Sequence, residues 1–191
     1  MTDETVLHRV RGLSRPFLIL LTIALIALVM VQGGEILAVL FFRSDGGWHA
    51  AVRSSADGIG LSIFANPDRS RDVLLESLSF WQRSALALLA GLCATTGGLA
   101  LFHLRQLFSL YSRGEVFAEA SIRNLKRFGL WLALSGVMVN VADHLFPLVT
   151  GHPAYSFANA PMTLVYGGMT YVVARVMELG RQADQERREF I

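Results

Sequence analysis

Four long apolar runs constrain this chain more than any other feature. Phe17–Phe42 holds one charge, Glu35; Ser84–Leu104 holds none; Phe128–Val149 holds only Asp143; Phe157–Ala174 holds none. About 20 apolar residues in a helix cross ~30 Å of hydrocarbon. Each run reaches that length or nearly so, the last being the shortest. The bilayer core holds no water, so each backbone must satisfy its own hydrogen bonds, which favours helix. None of the runs carries the consistent polar face of a water-facing helix. None alternates over about ten residues as a barrel strand would. The expected fold class is all-α: a polytopic four-helix transmembrane bundle, one membrane domain over residues 1–191, with spans at about 17–42, 84–104, 128–149 and 157–174. Arg9, Arg11 and Arg15 precede the first run as in a signal peptide, but the run exceeds an h-region of about 7–15 residues and reads as an uncleaved anchor.

Composition narrows the function classes. The chain is 53% hydrophobic and 17% charged, against about a quarter charged in soluble domains. Seventeen Lys and Arg against 15 Asp and Glu leave a net charge of +2. That balance carries no polyanion signal, so no direct nucleic-acid binding is expected. The single cysteine, Cys93, cannot close an internal disulfide and lies in an apolar run.

Lys and Arg set orientation, because they accumulate on the cytoplasmic side. With four spans, one side holds the N-terminal segment, residues 105–127 and the C-terminal segment, with twelve basic residues in all. The other holds five: Arg43, Arg53, Arg69, Arg71 and Arg83. The expected topology is therefore N-in and C-in.

The outer loop, residues 43–83, is expected to fold over the outer end of the bundle, being too small for a core of its own. Ala56–Phe64 alternates weakly and reads as extended. Asn66-Pro67-Asp68 reads as a turn, and Ser70 as the N-cap of a helix carrying Val73, Leu74, Leu75, Leu78 and Trp81 into the second span. Trp48 and Trp81 flank the outer bilayer surface. A lid and a ligand-binding element both fit this loop. On the inner side, Leu104, Leu107, Phe108 and Tyr111 share a helical face. Gly114 suits a C-cap, and a second helix places Ile122, Leu125 and Phe128 on one side with Arg123, Lys126 and Arg127 around them. Residues 105–127 thus read as an amphipathic helical hairpin at the inner interface. Its basic residues are expected to meet anionic headgroups.

The segment Leu107-Phe108-Ser109-Leu110-Tyr111-Ser112-Arg113-Gly114-Glu115-Val116-Phe117, followed by Ile122-Arg123-Asn124-Leu125-Lys126-Arg127-Phe128-Gly129, resembles a bacterial family of four-span inner-membrane proteins catalogued as a domain of unknown function. The turn residues Tyr111, Arg113, Gly114, Glu115 and Phe117 carry the likeness. The Leu-x-x-x-Gly entry to span three and the end from Ala174 to Ile191 support it. Ala118 departs from it, since Thr or Ser is expected as the cap there. The resemblance implies an inner-membrane location. It also implies relatives encoded near small DNA-binding regulators, hence a regulatory circuit. It implies no catalytic residues.

Ionisable groups inside spans are costly and become functional candidates. Glu35 and the pair Asp143-His144 fall at a similar depth near the outer leaflet, and Arg83 at the outer start of span two is expected to reach them. This group admits a register-fixing ion pair, a small-ligand or cation sensor, an ion or proton path, or a metal site. The sequence shows no close-spaced His/Cys pattern, and no metal or cofactor is expected. His103 and Arg105 are expected to meet headgroups. Small residues at Ala90, Ala94 and Gly97-Gly98, and at Gly167-Gly168, are expected to pack spans two and four together, inside one chain or between two. No Ser/His/Asp neighbourhood or metalloprotease pattern is present, so no enzyme is expected. The leading expectation is a non-enzymatic regulatory or interaction protein in the bilayer. It would sense at its outer face and offer the hairpin and tail to a cytoplasmic or membrane partner, or to a second copy. The rival is a small transporter or channel subunit using Glu35 and Asp143.

Overall fold

The computed structural model describes residues 3–42, 49–55, 58–64, 73–115, 118–152 and 160–189. Its elements in chain order are α1 (Asp3–Phe41), β1 (His49–Ser55), β2 (Gly58–Phe64), β3 (Val73–Leu74), a 3-10 turn (Leu75–Ser77), α2 (Phe80–Arg113), α3 (Glu119–Thr150) and α4 (Ala160–Glu189). Among the described residues, three helices are long and apolar enough to cross a membrane: Ser14–Phe41 within α1, α2 and α3. Their surfaces agree with that length. Met30 is 72% exposed and Leu148 79% exposed, a cost in water that lipid removes. This is a membrane protein built from helices.

Consecutive helices pack in chain order, α1 on α2, α2 on α3 and α3 on α4. Each turn alternates the direction, so the molecule has two ends. At one end lie β1 to β3, the start of α2 and the end of α3. At the other lie the α2–α3 turn and the far ends of α1 and α4. Hydrogen bonds tie each end together. At the sheet end, Gln82 Nε2 donates to the Val149 carbonyl at 2.8 Å, and Arg83 donates to the Phe42 carbonyl at 3.3 Å. At the turn end, Arg105 Nε donates to Thr22 Oγ1 at 2.9 Å.

The helix expected from Ser70 through Trp81 is not what forms; Ser70 itself, like Trp48 and the Asn66-Pro67-Asp68 turn, lies outside the described residues. Val73 and Leu74 are extended and pair with Val52 and Ala51 of β1, and β2 pairs along the other edge of β1, giving an antiparallel sheet ordered β2-β1-β3. The apolar spacing of Val73, Leu75 and Leu78 fits a helix face and a strand with a turn equally well. Pairing decides, because Val73 gains a partner strand and a buried environment. The extended reading of residues 58–64 agrees with β2. The helix begins instead at Ser79, whose side chain accepts from Gln82 N while Gln82 Oε1 accepts from Ser79 N at 2.8 Å. This reciprocal capping box satisfies two otherwise orphaned donors.

Among the described residues the sheet has no core of its own. Ala50, Val52, Val73 and Leu75 share one apolar cluster with Val39 of α1, Leu86, Ala87 and Ala90 of α2, and Ala142 and Phe146 of α3. Val52 and Leu75 are fully buried. Withdrawing side chains of that size from water is worth ~1.5–3 kcal/mol each, so the sheet is held by the helix ends beneath it.

The segment 105–127 has the expected helix, Gly114 stop and second helix, and these are the ends of α2 and α3, which continue unbroken on either side. The apolar face from Leu104 to Tyr111 continues that of the span, so nothing breaks the ladder before Gly114. There φ is +85°, the left-handed region that glycine enters without steric cost. Glu115 N donates to the Leu110 carbonyl at 3.1 Å, closing the helix end. Ala118 is the N-cap of α3 and offers no side-chain cap; Ser121 Oγ donates to the Glu115 carbonyl at 2.5 Å and braces the turn from within the next helix.

The small-residue stripes pair differently as well. Gly167 of α4 packs on Gly129 of α3, not on α2. A Cβ at Gly167 would lie 2.5 Å from Ala133 N and 2.7 Å from the Gly129 carbonyl. Gly98 of α2 faces Leu28 of α1 instead.

Candidate functional site

Two polar regions stand out, one beneath the sheet and one at the turn end. Beneath the sheet, α1 contributes Glu35, α2 Arg83 and α3 Asp143. Glu35 faces the sheet and accepts a hydrogen bond from the Leu61 backbone N–H of β2, while its Oε2 is buried without a hydrogen-bond partner. Arg83 turns to the Phe42 carbonyl at the end of α1, leaving its buried Nε without a partner. Asp143 is 8% exposed, beside the core residues Ala142 and Phe146, and Cys93 of α2 lies within range of its charge.

The structure brings Glu35, Arg83 and Asp143 to the same end but does not assemble the expected four-residue cluster. Among the described residues no ion pair joins Arg83 to Glu35. His144 leaves the group entirely. Successive helical residues point about 100° apart, so with Asp143 turned inward His144 is exposed. Its ring bonds the Asn140 carbonyl at 2.8 Å through Nδ1, and it lines an open apolar groove with Val137, Leu145 and Leu164 of α4. Among the described residues, no three His, Cys, Asp or Glu side chains converge as metal ligands.

At the turn end, Tyr111 meets Phe108 edge-on at 6.0 Å, and Phe108 stacks on Phe17 of α1 at 5.4 Å. The turn is thereby anchored to α1. Arg113 is exposed and lines a cavity of about 280 Å³ with Arg105, Gln106 and Asn124. Gly114 and Glu115 form the helix stop described above, and Phe117 lies outside the described residues. His103, expected to meet headgroups, is turned inward. It is buried and hydrogen-bonded through Nδ1 to Asn124 Oδ1 at 3.3 Å. Arg105 likewise spends its Nε–H on Thr22. These bonds satisfy polar groups that would otherwise be costly to bury.

Sequence reasoning also missed the contact between α3 and α4 at this end. Lys126 Nζ bonds Glu178 Oε2 at 2.6 Å, and Arg175 reaches the same oxygen at 2.9 Å. The Lys126 hydrogen bond, then that of Arg175, holds the Glu178 carboxyl below the ordinary glutamate range. Lys126 and Glu178 are 52 residues apart, so no local pattern announces the pair. Its one signal is that each lies in a charged stretch beside the end of an apolar run, Lys126 just before Phe128 and Glu178 just after Ala174.

No curated protein and no solved structure matches the chain. One family does: residues 57–189 match the family model described as "Protein of unknown function (DUF2975)", and the chain belongs to that family.

Proposed function

We infer that the protein is a non-enzymatic regulatory or interaction protein of the bacterial inner membrane, sensing at its outer face. In this reading the apolar run at about 157–174, most of it in α4, supplies a fourth span, both termini are cytoplasmic, and the sheet end faces outward. The twelve-to-five asymmetry of Lys and Arg supports the orientation. One observation carries the sensing role. The sheet shares a single apolar core with the ends of α1, α2 and α3, so a ligand or partner that shifts the sheet must repack three helices together. Tight cores respond to displacement in discrete steps and not by smooth deformation. The opposite end offers the turn at Gly114 and the tail of α4 to a protein partner or a second copy.

Topology is tested first. A reporter fused at Gly151 should be accessible from outside and one at Gly114 should not; the reverse accessibility removes the outward-sensing reading. Crosslinking in mild detergent with the C-terminal tail intact should then capture a partner that tail deletion abolishes.

A second reading, a small transporter or channel subunit, is favoured by the buried unpartnered Glu35 Oε2 beneath the sheet. Glu35→Gln and Asp143→Asn discriminate the two. Ion or proton flux in proteoliposomes that these changes abolish supports transport. Unchanged flux with altered partner crosslinking supports regulation.

A further inference from the structure

The turn-end cleft between α3 and α4 gathers more positive charge than its own carboxylates offset. It encloses about 330 Å³ and is lined by Glu119, Ile122, Arg123, Lys126, Arg127, Glu178 and Arg181. Four cations therefore face two carboxylates. The neutralisation is also uneven. Glu178 is committed to Lys126 at 2.6 Å and to Arg175 at 2.9 Å. Glu119 is exposed at the start of α3. Arg181 lines the same cleft, and its Nε is buried without a hydrogen-bond partner. A buried guanidinium N–H left unmade costs free energy that an anion in the cleft would recover. The floor is the buried Ile122, and the apolar surfaces of α3 and α4 begin directly beyond it. Tyr171, Val172 and Val176, one to three turns earlier on α4, are exposed. A ligand fitting this geometry has an anionic head within reach of Arg181, Arg123 and Arg127 and an apolar body along the helices.

We propose that this cleft binds the phosphate-ester group of an anionic membrane phospholipid. Arg123 and Arg127 bring additional charge one helical turn apart. Arg181 supplies a planar guanidinium, whose paired donors match phosphate oxygens. Lys126 is held by Glu178 and positions the cleft wall without being the main contact. Basic pockets between membrane helices at the bilayer surface are a recurrent way of holding lipid headgroups. The site does not depend on the regulatory reading above, because it uses neither the sheet nor the polar residues beneath it.

The test uses the full-length protein reconstituted in bilayers of equimolar phosphatidylglycerol and phosphatidylcholine, extracted gently and weighed by native mass spectrometry. Wild type should retain phosphatidylglycerol in preference to phosphatidylcholine. Arg181→Gln should lower that preference by about fivefold, with a similar further loss in Arg123→Gln, the scale of one basic residue at an anionic surface. Glu119→Gln should raise it, an effect of opposite sign that misfolding would not produce. Arg15→Gln, an exposed cation at the same end on α1, should leave it unchanged. A second arm titrates inorganic phosphate onto the lipid-free protein in neutral detergent. Tight phosphate binding without lipid preference assigns the cleft to a soluble phosphoester and overturns the lipid assignment. Equal retention of the two lipids by wild type, or an Arg181→Gln preference matching wild type, overturns it also.

Discussion

The α3–α4 and α1–α2 interfaces use the same residue types to opposite effect. Between α3 and α4, Gly129 meets Gly167 and the two backbones close to contact, so that a Cβ on either would strike main-chain atoms at 2.5–2.9 Å. Between α1 and α2, Gly91 and Gly98 face the side chains of Ile36 and Leu28 at 3.8 and 3.5 Å from the Cβ position, beside an apolar groove of about 410 Å³ that Leu25 and Ala94 also line. A small residue permits close approach only where the facing helix is also small. In lipid, where no hydrophobic force pushes helices together, that difference in van der Waals contact is most of what holds a pair. The comparison assigns α3–α4 as the firm pair and α1–α2 as the adjustable one.

The largest expected effect is at the firm interface. Gly167→Ala should cost about 3 kcal/mol, the upper range for overpacking, because the atoms in the way are Ala133 N and the Gly129 carbonyl and neither can move as a side chain does. Unfolding in mixed micelles measures it. Gly168→Ala, one residue on and facing open space, should change stability by less than ~0.5 kcal/mol. Equal losses at the two positions would break the comparison.

Next in size are the changes that act at helix ends. Gly114→Ala should cost about 1 kcal/mol, since alanine is strained at φ +85°. Gln82→Ala should cost a similar ~1 kcal/mol, because it removes the capping box and the bond to Val149 together. Gly98→Ala at the adjustable interface should be near neutral. Its Cβ would sit 3.5 Å from Leu28 Cδ2, an ordinary contact with a flexible group. A loss there comparable to that at Gly167 would show α1–α2 to be as tightly packed as α3–α4.

The smallest effect sharpens the electrostatic side of the firm pair. The Glu178 carboxyl titrates below its ordinary value of 4.5 in the folded protein. Its contribution is therefore complete above that value and is lost as the pH falls through the lower, folded one. Acid should loosen the turn end of α3–α4 in wild type, and Glu178→Gln should remove that pH dependence. Hydrogen exchange at the end of α4 reads it out.

Much of the fold was legible from residues alone. The apolar lengths of α1, α2 and α3 and the stop at Gly114 are local facts, carried by composition and by one residue that accepts a left-handed backbone. The candidate site was legible only in part. Glu35, Arg83 and Asp143 come to one end because each residue advances a helix by a fixed rise, so that depth along a span follows from position in the chain. His144 does not join them, because rotation about the helix axis depends on which neighbour α3 packs against.

What the amino-acid sequence determined by itself is transfer between water and hydrocarbon, a property of each segment taken singly. Tertiary structure alone decided the partner of each segment: Val73 with Val52 in a sheet instead of a helix, Gly167 with Gly129 instead of a glycine of α2, Lys126 with Glu178 across 52 residues. Partner choice is a competition among contacts that no single segment contains. It is settled by shape and hydrogen bonding between surfaces whose hydrophobicity is nearly the same.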